Sequence, residues 1–154
     1  MRVEVFWIGK ARLPGVAALT EEYTKRLGRY CEFEGREVRE TAREGKRGAG
    51  GLTAAEEKLL QGSEGAQRVA LDPAGRQWNS GELAAFLRKQ RDGGGKAIAF
   101  CVGGADGFSG AFREKADLLL SLSPMTLPHE LARVMLLEQL YRAFTMLAGH
   151  PYPR

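Results

Sequence analysis

The sequence contains 154 residues, of which 44% are hydrophobic and 27% charged, a size and composition that fit one globular domain and exclude a disordered or fibrous chain. No apolar run reaches the roughly 18 residues of a membrane-spanning helix and no hydrophobic leader follows Met1, so we expect a cytoplasmic protein without a membrane partner. The formal net charge of +4 favours a polyanionic partner without proving one, and the two cysteines, Cys31 and Cys101, lack the spacing of a disulfide framework or a metal site.

The first part of the chain predicts two strands and one helix. Residues 3–8 alternate and then become fully apolar, which is typical of a buried strand. Residues 16–27 carry apolar side chains at helical spacing with charges on the other side, and predict an amphipathic helix. Residues 31–38 predict a second strand, and Gly35 within it favours a place at a sheet edge.

A basic loop and a capped helix follow. Residues 42–51 contain four glycines and no aliphatic side chain larger than alanine, so Lys46 and Arg47 are expected on a mobile loop without a core role. Thr53 and Glu56 have the spacing of a capping box, which predicts the start of a short helix.

Strand and helix signals alternate through the rest of the chain. Residues 67–71 predict a short strand that a turn at 72–75 closes, and a polar residue at position 79 or 80 caps the next helix. Residues 97–102 are continuously apolar, as in a central parallel strand covered on both faces. Residues 118–122 predict the last strand. This alternation predicts a single α/β domain over residues 1–154, with a mainly parallel sheet and helices on both faces.

Two loops at predicted strand ends are candidates for a ligand site. Residues 103–107 are rich in glycine, which lets a ligand approach the backbone, although an ordinary tight turn explains them as well. Residues 121–129 are stiffened by Pro124 and Pro128, and their apolar side chains could line an adenine or methionine pocket. The alternative is a plain loop before a helix.

The last predicted helix, residues 129–148, has more apolar positions than one face can hold. One face would pack on the sheet and the other, including Leu137, against a second copy of the chain; a central helix in a monomer is the alternative. His129 and His150 flank the helix and could converge at one site. The sequence has no nucleophile elbow and no HExxH motif, so hydrolase chemistry finds no support.

Several motifs, spread over the chain, occur together in one known family. They are Val-x-x-Ile-Gly-Lys at 5–10, Gly45-Lys46-Arg47-Gly48, Gly103-Gly104-x-x-Gly107, Leu122-Ser123-x-Met125-Thr126-Leu127-Pro128-His129, Arg133-Val134, Glu138-Gln139-Leu140-Tyr141-Arg142-Ala143 and His150-Pro151-Tyr152. With these motifs the sequence resembles the RlmH-type large-subunit rRNA pseudouridine N3-methyltransferases. Pro153 departs from the basic or histidine residue often found there in the family.

The resemblance implies a SPOUT-class fold with a C-terminal trefoil knot and a homodimer that methylates pseudouridine 1915 of 23S rRNA in the assembled 70S ribosome. It implies that S-adenosylmethionine binds at Leu71, Gly103, Leu122, Ser123, Pro124, Met125, Thr126 and Leu127. It places His129, Arg142 and Tyr152 near the reaction, without singling out the group that removes the N3 proton. It gives Lys46 and Arg47 an RNA target, and it implies no metal.

Two other functions are compatible with parts of the sequence. A non-catalytic ribosome-binding or RNA-binding module on the same fold would explain the positive charge, but not the retained cofactor-loop residues. A nucleotide-dependent oxidoreductase would need the phosphate-binding glycine spacing, which residues 103–107 lack.

Overall fold

The computed structural model describes residues 1–40, 48, 50–95 and 97–152. Five parallel strands form one sheet in the order β2-β1-β4-β3-β5. The strands are β1 (Arg2–Ile8), β2 (Glu32–Val38), β3 (Gln67–Gln77), β4 (Ile98–Val102) and β5 (Leu118–Ser121). The helices are α1 (Val16–Leu27), α2 (Ala54–Gly62), α3 (Ser80–Asp92), α4 (Gly110–Glu114) and α5 (His129–Ala148). The predicted α/β class is confirmed, with β4 inside the sheet and β2 at an edge.

Helices cover both faces of the sheet, because alternate strand residues point to opposite sides. On one face, Val3, Val5 and three alternate side chains of β4 pack with α1, α3 and α5. On the other face, Phe6, Ile8 and Cys101 pack with α2 and α4. The sheet therefore separates two apolar cores, and the C-terminal ends of its parallel strands all point the same way.

Local sequence signals set two of the helix starts. The Thr53 hydroxyl accepts the Glu56 backbone N–H while the Glu56 carboxylate accepts that of Thr53, at 3.1 and 2.9 Å. Asn79 and Glu82 repeat the arrangement at α3. Both capping boxes satisfy backbone donors that a helix start leaves unpaired, and they confirm the predicted starts.

The predicted end of β3 is wrong. The strand continues to Gln77, and its pairing with β5 shifts register between Leu71 and Arg76, both of which pair with Leu120. Residues 72–75 thus form an irregular segment within the strand. Residues 72–75 have a sequence typical of a turn, but pairing with β5, which is distant in sequence, continues the strand past them.

The assignment of Leu137 to an outer face of α5 is also wrong. Leu137 is fully buried, because α5 packs against α1 and α3 as well as the sheet. The apolar side chains that α5 leaves exposed are Leu131, Met135 and Met146. Within the described part of the chain, no helix is long and apolar enough to cross a membrane.

Candidate active site

A cavity of about 520 Å³ lies at the ends of β4 and β5, beside the irregular segment of β3. The irregular segment of β3, the loops after β4 and β5, Arg113 of α4 and the start of α5 form its wall. Such a position is expected for a ligand site in a parallel sheet. The lining residues are Leu71 to Ala74, Val102 to Phe108, Arg113, Leu120 to Ser123, Met125 to Leu127, His129 and Ala132. Of the predicted cofactor residues, all line this cavity except Pro124.

The loop after β4 is close-packed. A Cβ atom added to Gly103 would lie 3.1 Å from the carbonyl carbon of Gly107, which leaves no comfortable space for a side chain. Gly107 has φ of 70°, and its N–H donates to the Gly104 carbonyl at 3.0 Å. The loop is therefore a tight turn whose backbone forms a cavity wall, so the two interpretations of residues 103–107 are compatible.

The loop after β5 is braced by side-chain hydrogen bonds as well as by proline. The buried Ser121 hydroxyl donates to the Ser123 carbonyl at 2.9 Å, and the Ser123 hydroxyl accepts the Met125 backbone N–H at 2.9 Å. Met125 lines the cavity but remains 78% exposed. An apolar ligand group could therefore cover it on binding.

A carboxylate and a guanidinium that the sequence did not single out face this cavity. Asp72 is 8% exposed, and its carboxylate lies 3.3 Å from Nη1 of Arg113. The same carboxylate accepts the Ala74 backbone N–H at 2.8 Å, which fixes the irregular segment of β3. Arg113 is only half-buried and retains further N–H donors for a ligand.

A second cluster surrounds the far end of α5. Arg142, His150 and Tyr152 line a separate cavity there. The Arg142 guanidinium donates to Oε1 of Glu138 at 2.6 Å and lies 4.8 Å from the centre of the Tyr152 ring. Glu138 and Arg142, four residues apart on α5, thus form an ion pair in which both side chains are mostly shielded.

Tyr152 is held as a neutral phenol. Burial raises the pKa of its hydroxyl well above the ordinary value, and the hydrogen bond with the Tyr23 hydroxyl at 3.5 Å acts in the same direction. At neutral pH Tyr152 can donate a hydrogen bond but is unsuited to act as a phenolate base.

One chain does not bring the three predicted catalytic residues together. His129 lines the first cavity, whereas Arg142 and Tyr152 line the second. His129 and Arg142 are thirteen positions apart on α5, which is about 20 Å at the helical rise per residue. Convergence of His129 and His150 within one chain is likewise wrong. Lys46, Arg47 and Pro153 lie outside the described residues.

The parallel sheet and the cavity beside its strand ends define an α/β protein with a cavity of small-molecule size between its loops. The family model described as "Predicted SPOUT methyltransferase" matches residues 1–153. The chain belongs to this SPOUT methyltransferase family.

Curated relatives match over nearly their whole length. A protein of Geotalea daltonii named "Ribosomal RNA large subunit methyltransferase H" is 43% identical over 99% of both chains. A protein of the same name from Koribacter versatilis is 42% identical, over 99% of this chain and 97% of that one. The resemblance identified from the motifs is confirmed.

Solved structures share the fold at low sequence identity. A tRNA methyltransferase from Aquifex aeolicus aligns with a TM-score of 0.61 at 18% identity, over all of this chain and 75% of that one. A protein from Legionella pneumophila, solved with bound S-adenosylmethionine, aligns with a TM-score of 0.52 at 12% identity, over 93% and 66% of the two chains. Among the residues that our structure describes, no group of His, Cys, Asp and Glu could hold a metal ion.

Proposed function

We propose that this chain transfers a methyl group from S-adenosylmethionine to N3 of pseudouridine 1915 of 23S rRNA in the assembled 70S ribosome. The observation that carries the proposal is the cavity at the strand ends, whose wall contains nearly every residue expected at the cofactor. The names of the full-length relatives support large-subunit rRNA as the substrate.

The cavity suits the cofactor in size and chemistry. Its volume of about 520 Å³ lies within the range of small-molecule sites. Leu71, Leu122 and Leu127 offer apolar contact for an adenine ring, and the close-packed turn at Gly103 offers backbone polar groups. These residues would hold the cofactor, which supplies an electrophilic methyl group on a sulfonium when bound.

Asp72 and Arg113 would hold the amino-acid end of the cofactor. That end carries an ammonium and a carboxylate, and the paired side chains offer the opposite charges in adjacent positions. Arg113→Ala should weaken binding of S-adenosylhomocysteine about tenfold, or about 1.4 kcal/mol, and leave methylthioadenosine, which lacks the amino-acid end, unchanged. Lys115→Ala, also on the surface beside α4, is the control. Equal loss of both ligands would contradict the assignment.

The substrate nitrogen must lose its proton when it accepts the methyl group. The protein must also hold the pyrimidine ring in place beside the cofactor. His129 lies at the cavity wall, where its imidazole could accept a proton directly or through a water. Tyr152, as a neutral phenol, can donate a hydrogen bond to a pyrimidine carbonyl, and Arg142 adds positive charge beside it.

A homodimer would unite the two clusters. Because His129 and Arg142 lie about 20 Å apart along α5, the second cluster of one copy must approach the cavity of another if all three residues act together. Leu131 and Met135 form an exposed apolar strip on α5 that a second copy would cover. The implied trefoil knot, the single domain over residues 1–154 and the cytoplasmic location belong to the same proposal.

Lys46 and Arg47 would contact ribosomal RNA phosphates. Replacing both with alanine should lower the salt slope of ribosome binding by about two units, since each phosphate contact contributes about one. Arg88→Ala with Lys89→Ala, an exposed pair on α3, removes the same charge as a control. Equal slopes in the two double variants would contradict the loop's role.

The reaction is tested by incubating the protein and methyl-labelled S-adenosylmethionine with ribosomes that lack this methyl group. We expect label in large-subunit rRNA. Binding to ribosomes without any transfer of label would favour the non-catalytic module and overturn the proposal.

A further inference from the structure

The segment that follows β1, residues 9–14, is exposed yet firmly held. Lys10, Arg12 and Leu13 have exposed side chains. Gly9 is buried in a left-handed conformation, with φ of 92°, and its N–H donates to the Val38 carbonyl at 2.9 Å. This turn directs the segment away from the sheet and across the start of α5.

Two buried charged side chains from the first turns of α5 hold the segment. The Glu130 carboxylate accepts the backbone N–H groups of Arg12 and Leu13 at 2.5 and 3.1 Å. Arg133, only 2% exposed, donates through Nη2 to the Gly9 carbonyl at 3.1 Å. Its guanidinium lies 4.9 Å from the centre of the Trp7 ring.

Stability alone gives a poor reason for this arrangement. Burial lowers the pKa of Arg133, which reflects the cost of shielding its charge, and its Nε atom has no hydrogen-bond partner among the described residues. Apolar side chains of similar size fill buried space at lower cost. The hydrogen bonds of Glu130 and Arg133 act instead on the backbone of residues 9–13, which holds in position the points where the exposed side chains leave the chain.

The held segment borders the candidate active site. Glu130 directly follows His129, which lines the cavity. Gly9 and Gly104 also share a neighbour, since Cβ atoms added to them would lie 3.4 and 3.3 Å from the Glu40 carboxylate. Neither Lys10 nor Arg12 forms an ion pair within the described part of the chain, so both cations remain available to a polyanion.

We infer that residues 9–13 form a rigid RNA-phosphate contact beside the active site, in which Lys10 and Arg12 bind the ribosomal RNA backbone. Glu130 and Arg133 are positioning residues that act through the backbone of this segment. The inference rests on the proposed function and adds a second contact to that of Lys46 and Arg47. A cation whose backbone is already held loses less conformational freedom on binding than one whose backbone must first be ordered, which suits accurate placement of a nucleotide.

Ribosome binding by the purified protein, measured between about 50 and 200 mM salt, tests the inference. Lys10→Ala with Arg12→Ala should lower the salt slope by about two units, whereas Arg88→Ala with Lys89→Ala should leave it unchanged. Glu40→Gln should strengthen binding, because it removes a negative charge beside the segment.

The positioning role has its own readout. Glu130→Ala should speed hydrogen exchange at the Arg12 and Leu13 amides and weaken ribosome binding, while urea unfolding shows whether the global fold persists. If exchange at these amides is unchanged, or if the Lys10 and Arg12 double variant matches its control, the inference is wrong.

Failure of this inference differs from failure of the proposed function. Lys10 and Arg12 do not line the cavity, so their double variant should bind S-adenosylhomocysteine like the wild type. Wild-type protein that transfers methyl groups while the double variant keeps its salt slope would overturn the inference alone. Wild-type protein that does not bind ribosomes would overturn both.

Discussion

Replacing Gly75 with alanine should disrupt the irregular segment of β3 and the cavity that it borders. An added Cβ would lie 2.6 Å from the carbonyl carbon of Leu119 and 2.7 Å from the backbone nitrogen of Leu120, both in β5. Ordinary carbon contacts are about 3.5–4.0 Å, so the added atom is about 1 Å too close. Gly75 does not have a positive φ, which makes the expected effect steric rather than conformational.

The clash is with backbone, which cannot rotate away as a side chain could. We therefore expect a cost near the upper end of overpacking, about 3 kcal/mol, and a fall in Tm of about 6–12 °C. Because Asp72 and Ala74 line the cavity, S-adenosylhomocysteine should also bind about tenfold more weakly, or about 1.4 kcal/mol.

Thermal unfolding and calorimetric titration measure the two effects. Gly110→Ala is the matched control, since the nearest atom to its added Cβ is a flexible guanidinium nitrogen at 3.9 Å. It should be neutral or slightly stabilising at the start of α4. A Gly75→Ala variant with wild-type Tm and wild-type ligand affinity would refute the steric reasoning and the placement of this segment at the site.

Three further outcomes follow from the same structure. Gly103→Val should abolish binding of S-adenosylhomocysteine by calorimetry, because its side chain must displace the turn at Gly107; unchanged affinity would remove this turn from the site. In sedimentation, Met135→Asp should convert the proposed dimer to a folded monomer, because Met135 is exposed on the single chain. Leu137→Asp should instead unfold the chain, because Leu137 is fully buried. Burial raises the pKa of the Cys31 thiol to about 11 from 9.0. The contribution of the neutral thiol to the free energy of unfolding is therefore complete below about pH 9 and is lost as the pH rises through 11. Alkylation of Cys31 should accordingly remain slow at pH 8 until the chain is unfolded, and fast labelling of the native protein would contradict the burial.

Local signals predicted most of the fold. The capping boxes at Thr53 and Asn79 mark helix starts within four residues of sequence, and the apolar run at 97–102 marks a strand buried on both faces. The two loops that line the cavity are also recognisable, because glycine and proline follow strands that end on the same side of a parallel sheet. Composition and spacing are sufficient where the determining contacts are local.

Contacts between distant segments were not predictable in this way. Asp72 and Arg113 form an ion pair although they are 41 positions apart in the sequence. The strand that carries Asp72 continues past residue 72 because β5 pairs with it. Glu130 and Arg133 reach residues more than 115 positions away. The nearly continuous apolar surface of α5 could not show that Leu137 is inside and Met135 outside, since α1 and α3 determine which positions are covered.

The central claim is tested most directly by mass spectrometry of rRNA fragments after incubation of methyl-deficient 70S ribosomes with the protein and isotope-labelled S-adenosylmethionine. We predict one labelled methyl group on the base of pseudouridine 1915 with the wild-type protein, and none with the Gly103→Val variant. A labelled methyl at another nucleotide, or an unmodified 1915 fragment in the presence of folded wild-type protein, would contradict the proposed reaction.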